Sequence, residues 1–115
     1  MKLFSLNTTP FEPVSHDPEL KKKVLTRDAF PYVRHISHVI LPSGSSMSEH
    51  SHSDDSEVFY CIRGNAVFSV NRKSIPVKKG HLLIIEPGEL HSITKIIEET
   101  ELLYFHTIPK RGDNS

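Results

Sequence analysis

Apolar positions along this chain come in short β-branched and aromatic runs, each closed by turn residues. Tyr32 to Leu41 is one such run, and Pro42-Ser43-Gly44 ends it. Glu57 to Arg63 is the next, followed by Gly64-Asn65 and then Ala66 to Val70. A Gly-Asn pair between two apolar runs predicts a tight hairpin. Asn71-Arg72-Lys73 predicts another turn, leading to Ser74–Val77. Gly80 precedes the run Leu82–Ile85, which Pro87-Gly88 terminates, and His91–Ile97 and Glu101–Thr107 read as the last two strands. The pattern predicts roughly seven to nine short strands at near-regular spacing, which indicates a sandwich or barrel. Val58–Ile62 and Leu82–Ile85 are apolar at consecutive positions. Both of their faces are expected to be covered, as in a closed or double-layered structure with a partner subunit over one side.

The beginning of the chain reads differently. Residues 1–23 hold three prolines and little periodicity. Ser15-His16-Asp17-Pro18-Glu19 has the chemistry of a helix start, with a capping polar residue, a proline in the first turn and an acid beside it. The predicted helical turn ends by Lys23. Pro109–Ser115 is polar and is expected to fray. The expected organisation is one domain over 1–115, with a leader at 1–23, a β-barrel at 24–108 and a tail at 109–115.

Charge narrows the function classes. Lys plus Arg equals Asp plus Glu, 14 of each, so the formal net charge is zero. That balance predicts neither a nucleic-acid partner nor an acidic membrane surface. The one basic run, Lys21-Lys22-Lys23, has Glu19 beside it and reads as a solvated face. A single cysteine, Cys61, rules out an intrachain disulfide and suits a reducing compartment. Met1–Leu6 is too short an apolar start for a signal peptide, and no stretch approaches the ~20 apolar residues of a spanning helix. The expectation is a cytoplasmic protein.

The candidate chemistry lies in His50-Ser51-His52 and Glu57. Two histidines one residue apart on an extended strand project to the same side, and a nearby carboxylate can return to join them. His91, in the compact segment Glu86–His91, is a fourth candidate. Crowded imidazoles and a carboxylate add little stability unless something binds them, so the first hypothesis is a metal site. Nucleophile elbows, phosphate loops and paired-cysteine sites are absent from the sequence.

Read outward, the segment is Gly44-x5-His50-x-His52-x4-Glu57-x6-Gly64. This resembles the first motif of the cupin superfamily at every specified position. Gly80-x5-Glu86-x-Gly88-x2-His91-x3-Lys95 resembles the second. It departs at Glu86, where proline is usual, and at Lys95, where asparagine is usual. The motifs span residues 44–95. The resemblance implies an all-β double-stranded β-helix, a jelly-roll barrel, here with a short N-terminal helical turn. It also implies one metal held in a barrel mouth by His50, His52, Glu57 and His91. Three neutral imidazoles and a carboxylate suit a divalent transition metal (Fe, Mn, Ni, Zn, Co or Cu) better than Ca or Mg. An octahedral ion would keep two positions open for a small-molecule ligand or substrate.

Strand parity from Glu57 turns Phe59 and Cys61 inward, both as core, and parity from His91 turns Ile93 and Lys95 to the ligand's side. Lys95 is weighed between an anion holder and an exposed strand end, and the exposed end is preferred. Each of His35, His38 and His106 reads singly as a packed or surface histidine, with one or two available to line the pocket. Asp54 and Asp55 read as a solvated loop, and Tyr60 and Tyr104 as residues of a dimer face or the pocket rim. Small cupins like this one commonly dimerise, so a homodimer is expected. The functional expectation is a metal-dependent enzyme of dioxygenase, isomerase or lyase type, with catalytic residues unassigned. The alternative is a non-catalytic module binding a small metabolite or the metal.

Overall fold

Alternation and turn chemistry build an all-β chain in the computed structural model, which describes residues 1–108. The expected frayed tail, 109–115, lies outside the described residues. A 3-10 turn at Leu6–Thr8 precedes eight strands among the described residues. They are β1 (Phe11–Val14), β2 (Asp17–Phe30), β3 (Val33–Leu41), β4 (Met47–His50), β5 (Glu57–Val70), β6 (Lys73–Lys78), β7 (Leu82–Ile85) and β8 (His91–Thr107). All pairings are antiparallel, in the order β1-β2-β3-β8-β5-β6, with β4 on β8 and β7 on β5. The result is a jelly-roll barrel.

The helical turn expected near the N-terminus is present, but at Leu6–Thr8 and not at Ser15–Lys23. Residues 17–30 are strand. Ser15 and His16 form the tip of the β1–β2 hairpin, where Val14 pairs with Asp17 and His16 takes φ +71°. The Asp17 carboxylate caps no helix. It accepts from the Ser48 backbone N–H and hydroxyl at 3.0 and 2.6 Å, pinning the hairpin to β4.

The turn at Asn71-Arg72 is present, and both residues take the positive φ of a tight hairpin. The hairpin expected at Gly64-Asn65 is not. β5 continues from Glu57 to Val70, pairing with β8 along its whole length. The two strands expected at 91–97 and 101–107 are likewise the single strand β8. Both long strands bend where they cross, at Gly64 and Thr100. Their first and second halves thereby join different layers of the barrel. A Cβ on Gly64 would lie 2.5 Å from Thr100 Cα and 2.7 Å from the Glu99 carbonyl oxygen, and Gly64 takes φ +113°. The buried Thr100 hydroxyl ties the bend, accepting from Asn65 N–H at 3.1 Å and donating to Glu98 C=O at 2.8 Å.

Inside the barrel, Leu41, Cys61, Phe68, Ile85, Ile96 and Leu102 are fully buried. Phe59 packs edge-on to Phe68 and stacks on Tyr104 at a centroid distance of 5.4 Å. Burial pushes the Cys61 thiol pKa up, as expected of a packing residue. In this chain alone, the runs at 58–62 and 82–85 are covered on one face only. Tyr60, Ile62, Leu82 and Ile84 are exposed. No helix among the described residues is long and apolar enough to cross a membrane.

Candidate metal centre

β4 ends at His50, so His52 stands on the loop after it and not on the expected strand. The Gly88 N–H donates to the His52 carbonyl at 2.6 Å and fixes that loop against the β7–β8 turn. Glu57 opens β5 and His91 opens β8. These elements bring His50, His52, Glu57 and His91 together, with one ligand-type atom from each within 4.8 Å of all the others. His91 Nε2 lies 2.9 Å from Glu57 Oε1, and His52 Nε2 lies 3.6 Å from the same oxygen. The His50 and His91 rings are 4.3 Å apart.

The backbone sets the tautomers. His50 Nδ1 faces the Ser48 carbonyl at 3.0 Å, and His91 Nδ1 faces the Glu89 carbonyl at 2.9 Å. A carbonyl only accepts, so Nδ1 carries the proton in both rings. When neutral, each ring presents an Nε2 lone pair. At His91 that lone pair meets a carboxylate oxygen, an arrangement that needs a proton or a cation between them. Burial lowers the His91 pKa, but the Glu57 carboxylate and the Glu89 carbonyl outweigh it and raise the ring above its ordinary value. His52 Nε2 is buried with no hydrogen-bond partner. A group buried that way is costly unless something occupies its lone pair. The donor set therefore fits a divalent transition metal, the group the motif resemblance implies. Burial also lowers the His50 pKa, which keeps a ligand-competent neutral ring.

Glu57 is 4% exposed. Burial alone would raise its pKa, but the facing imidazoles of His106, His52 and His91 hold the carboxyl far below the usual carboxylate range. His106 bridges two acids, with Nε2 at 2.9 Å from Glu57 Oε2 and Nδ1 at 3.1 Å from Asp55 Oδ2. Burial alone would lower the ring's pKa, but both ring nitrogens face carboxylate oxygens, which outweigh it and raise the pKa above its ordinary value. Asp55 is buried at 8% exposure and has Arg34 Nε at 3.7 Å, which corrects its reading as a solvated loop residue. His52, Asp55 and His106 form a second group of possible metal ligands that shares His52 with the first.

The cluster opens into a cavity of about 310 Å³ walled also by Lys22, Arg34, His35, Tyr104 and His106. His35 and His106 thus line the pocket. His38 does not, and instead bonds Glu101 at 2.6 Å. His35 bonds Ser37 at 2.9 Å, and burial, with help from the nearby His106 and Lys22, lowers its pKa to about 4. Lys95 is exposed. The register shifts between Ile93, opposite Phe68, and Lys95, opposite Val67, so the parity counted from His91 fails there. Lys22 corrects the solvated-face reading of 21–23. Once the segment is strand, parity with buried Leu20 and Val24 sends Lys22 inward.

A sequence model described as a cupin domain matches residues 37–107. An oxalate-binding protein of Thermotoga maritima is 42% identical over 53 residues, 46% of this chain. The match spans only 44% of that protein's length. An uncharacterized protein of Methanocaldococcus jannaschii is 24% identical over 98 residues, covering 84% of this chain and 78% of its own. Among solved structures, a predicted oxalate decarboxylase from Thermotoga maritima superposes with a TM-score of 0.83 at 24% identity, covering 94% of this chain and 100% of its own. KdgF from Halomonas sp. gives a TM-score of 0.78 at 16% identity, covering 100% and 99%. At such identities these structures speak for the fold alone.

Proposed function

This chain belongs to the cupin domain family, and we propose that it holds one divalent transition metal through His50, His52, Glu57 and His91 and acts with it on a small molecule. The buried, partnerless Nε2 of His52, aimed at the carboxylate that His91 also faces, carries this reading. When bound, the metal would supply a Lewis acid and a template for the ligand. The chain's own residues do the rest. Ser48 and Glu89 carbonyls hold two imidazoles in one tautomer, and His106, braced by Asp55, orients Glu57. Several polar side chains converge on the space in front of the cluster. Such a wall favours an enzyme of acid–base type, an isomerase or lyase, over one whose pocket is aliphatic.

Elemental analysis of purified wild type and of the H52A/H91A double variant tests the ligand set. Metal should be present in the first and lost from the second, and undiminished stoichiometry in the second sinks the assignment. A non-catalytic module is the second reading, favoured by the relative named an oxalate-binding protein. Oxalate incubated with the metal-loaded protein and followed by NMR separates the two for that ligand. Formate appears if it is turned over, and unchanged oxalate with a measurable affinity indicates binding alone.

A further inference from the structure

Lys22 has no ordinary structural reason to be where it is. It sits on β2 between the inward-facing Leu20 and Val24 and lines the cavity in front of the ligand cluster. Among the described residues it makes no hydrogen bond or ion pair. Its cross-strand neighbour Glu12 is engaged by Arg27. Burial lowers the Lys22 pKa, with the charges of Glu12 and Glu57 working the other way. A half-buried, unpaired ammonium costs stability, and aliphatic residues flank it on the same face. Of the two cavity carboxylates, Asp55 is engaged by Arg34 and His106, and Glu57 by His106 and the ligand histidines. That leaves Lys22 as a cation on the wall of the same cavity with no carboxylate paired to it.

We infer that the ligand is a small dianion, with one anionic group at the metal cluster and the other received by the Lys22 ammonium. This rests on the metal reading above and adds the ligand's charge and the residue that selects it. Lys22 precedes residues 37–107, the part that matches the cupin domain, as do the pocket residues His16, Arg34 and His35. The selecting group therefore comes from the N-terminal arm, which the β1–β2 hairpin holds over the mouth through Asp17 and Ser48.

Malonate serves as the dianionic probe and acetate as the monoanion, each titrated calorimetrically into metal-loaded wild type, K22M and K22R. K22M should weaken malonate by about ten- to hundredfold, the worth of a hydrogen bond to a charged group. Acetate affinity should be unchanged, and K22R should retain most malonate binding. K22M should also melt no lower than wild type, because an unpaired charge has been replaced by an apolar side chain. A Lys22 that merely supported the fold would lower the melting temperature and weaken both probes. Equal malonate affinity in wild type and K22M, parallel loss of acetate, a lowered melting temperature in K22M, or no malonate binding to wild type overturns the inference. Elemental analysis of the same samples keeps the two readings apart. Metal retained without Lys22 dependence refutes this inference alone. Lys22-dependent malonate binding to protein that holds no metal refutes the metal reading alone.

Discussion

Gly64→Ala should be among the most damaging single-methyl additions in this barrel, and its cost can be set against a built-in control. The added Cβ would meet Thr100 Cα at 2.5 Å, Thr100 Oγ1 at 2.4 Å and the Glu99 carbonyl oxygen at 2.7 Å. Carbon atoms pack best at about 3.5–4.0 Å, so the overlap with Thr100 Cα is about 1 Å. Two of the three atoms are backbone and cannot rotate away. Overpacking of that kind costs about 1–3 kcal/mol. A non-glycine residue at φ +113° adds strain, of about 1–3 kcal/mol. Gly44 supplies the control, because it also has positive φ, +85°, but a Cβ there meets nothing within 4 Å. G44A should carry the strain alone. The difference between the variants therefore isolates the strand crossing, and it should be about 1–3 kcal/mol. Urea denaturation of wild type, G44A and G64A measures it, with melting temperatures separating by about 4–8 °C per kcal/mol. Equal losses in the two variants would show that β5 and β8 do not cross so closely, and the continuous bent strands would have to be abandoned.

Three further outcomes follow from the site and its surroundings. D55N removes the charge that His106 Nδ1 donates to and loosens the brace on Glu57; metal affinity should fall about tenfold, and a competition titration showing no change would leave Asp55 without that role. His35 is held neutral down to about pH 4, below its unfolded value of about 6.5, so its contribution to stability is full above that value and is lost as pH falls toward 4. H35Q should therefore flatten the acid limb of a melting-temperature profile between those pH values, and an unaltered limb would refute the shift. Glu101 accepts from the buried His38 at 2.6 Å, and that bond, joined by Arg63 and opposed by burial, lowers its carboxyl pKa; E101A should cost about 1–3 kcal/mol by leaving a buried imidazole nitrogen unpaired, with the deficit shrinking as pH falls below the unfolded carboxylate value of about 4.3 toward the lowered folded one.

How much of this could be read from the residues depended on whether the deciding contact was local. Leu82–Ile85 and the Asn71-Arg72 turn follow from neighbours in sequence and were legible as they stand. Gly64-Asn65 was not. A glycine followed by asparagine between apolar runs looks the same whether the chain reverses or is crossed by another strand. What decides is Thr100, far along the chain, which leaves no room for a side chain. Ser15–Glu19 failed for a related reason. Asp17 can cap a helix in isolation, but here Ser48 takes its carboxylate and the hairpin claims the backbone.

The candidate site divides along the same line. His50, His52, Glu57 and His91 meet at one point and stand at spacings that a motif can record, each at or just beyond a strand end. The residues in front of them carry no such spacing. Asp55 is buried only because His106 and Arg34 reach it. Lys22 points inward only because residues 17–30 are strand, and a helical reading of that segment hides it among Lys21 and Lys23. A metal shell needs several ligands at fixed mutual distances, which constrains spacing within one stretch of chain. A ligand's far end needs a single charge at the right depth, and any strand of the barrel can provide it. Selectivity can therefore drift between barrels that share a motif, and the residue that sets it must be sought by burial and lack of a partner, as at Lys22, and not by spacing.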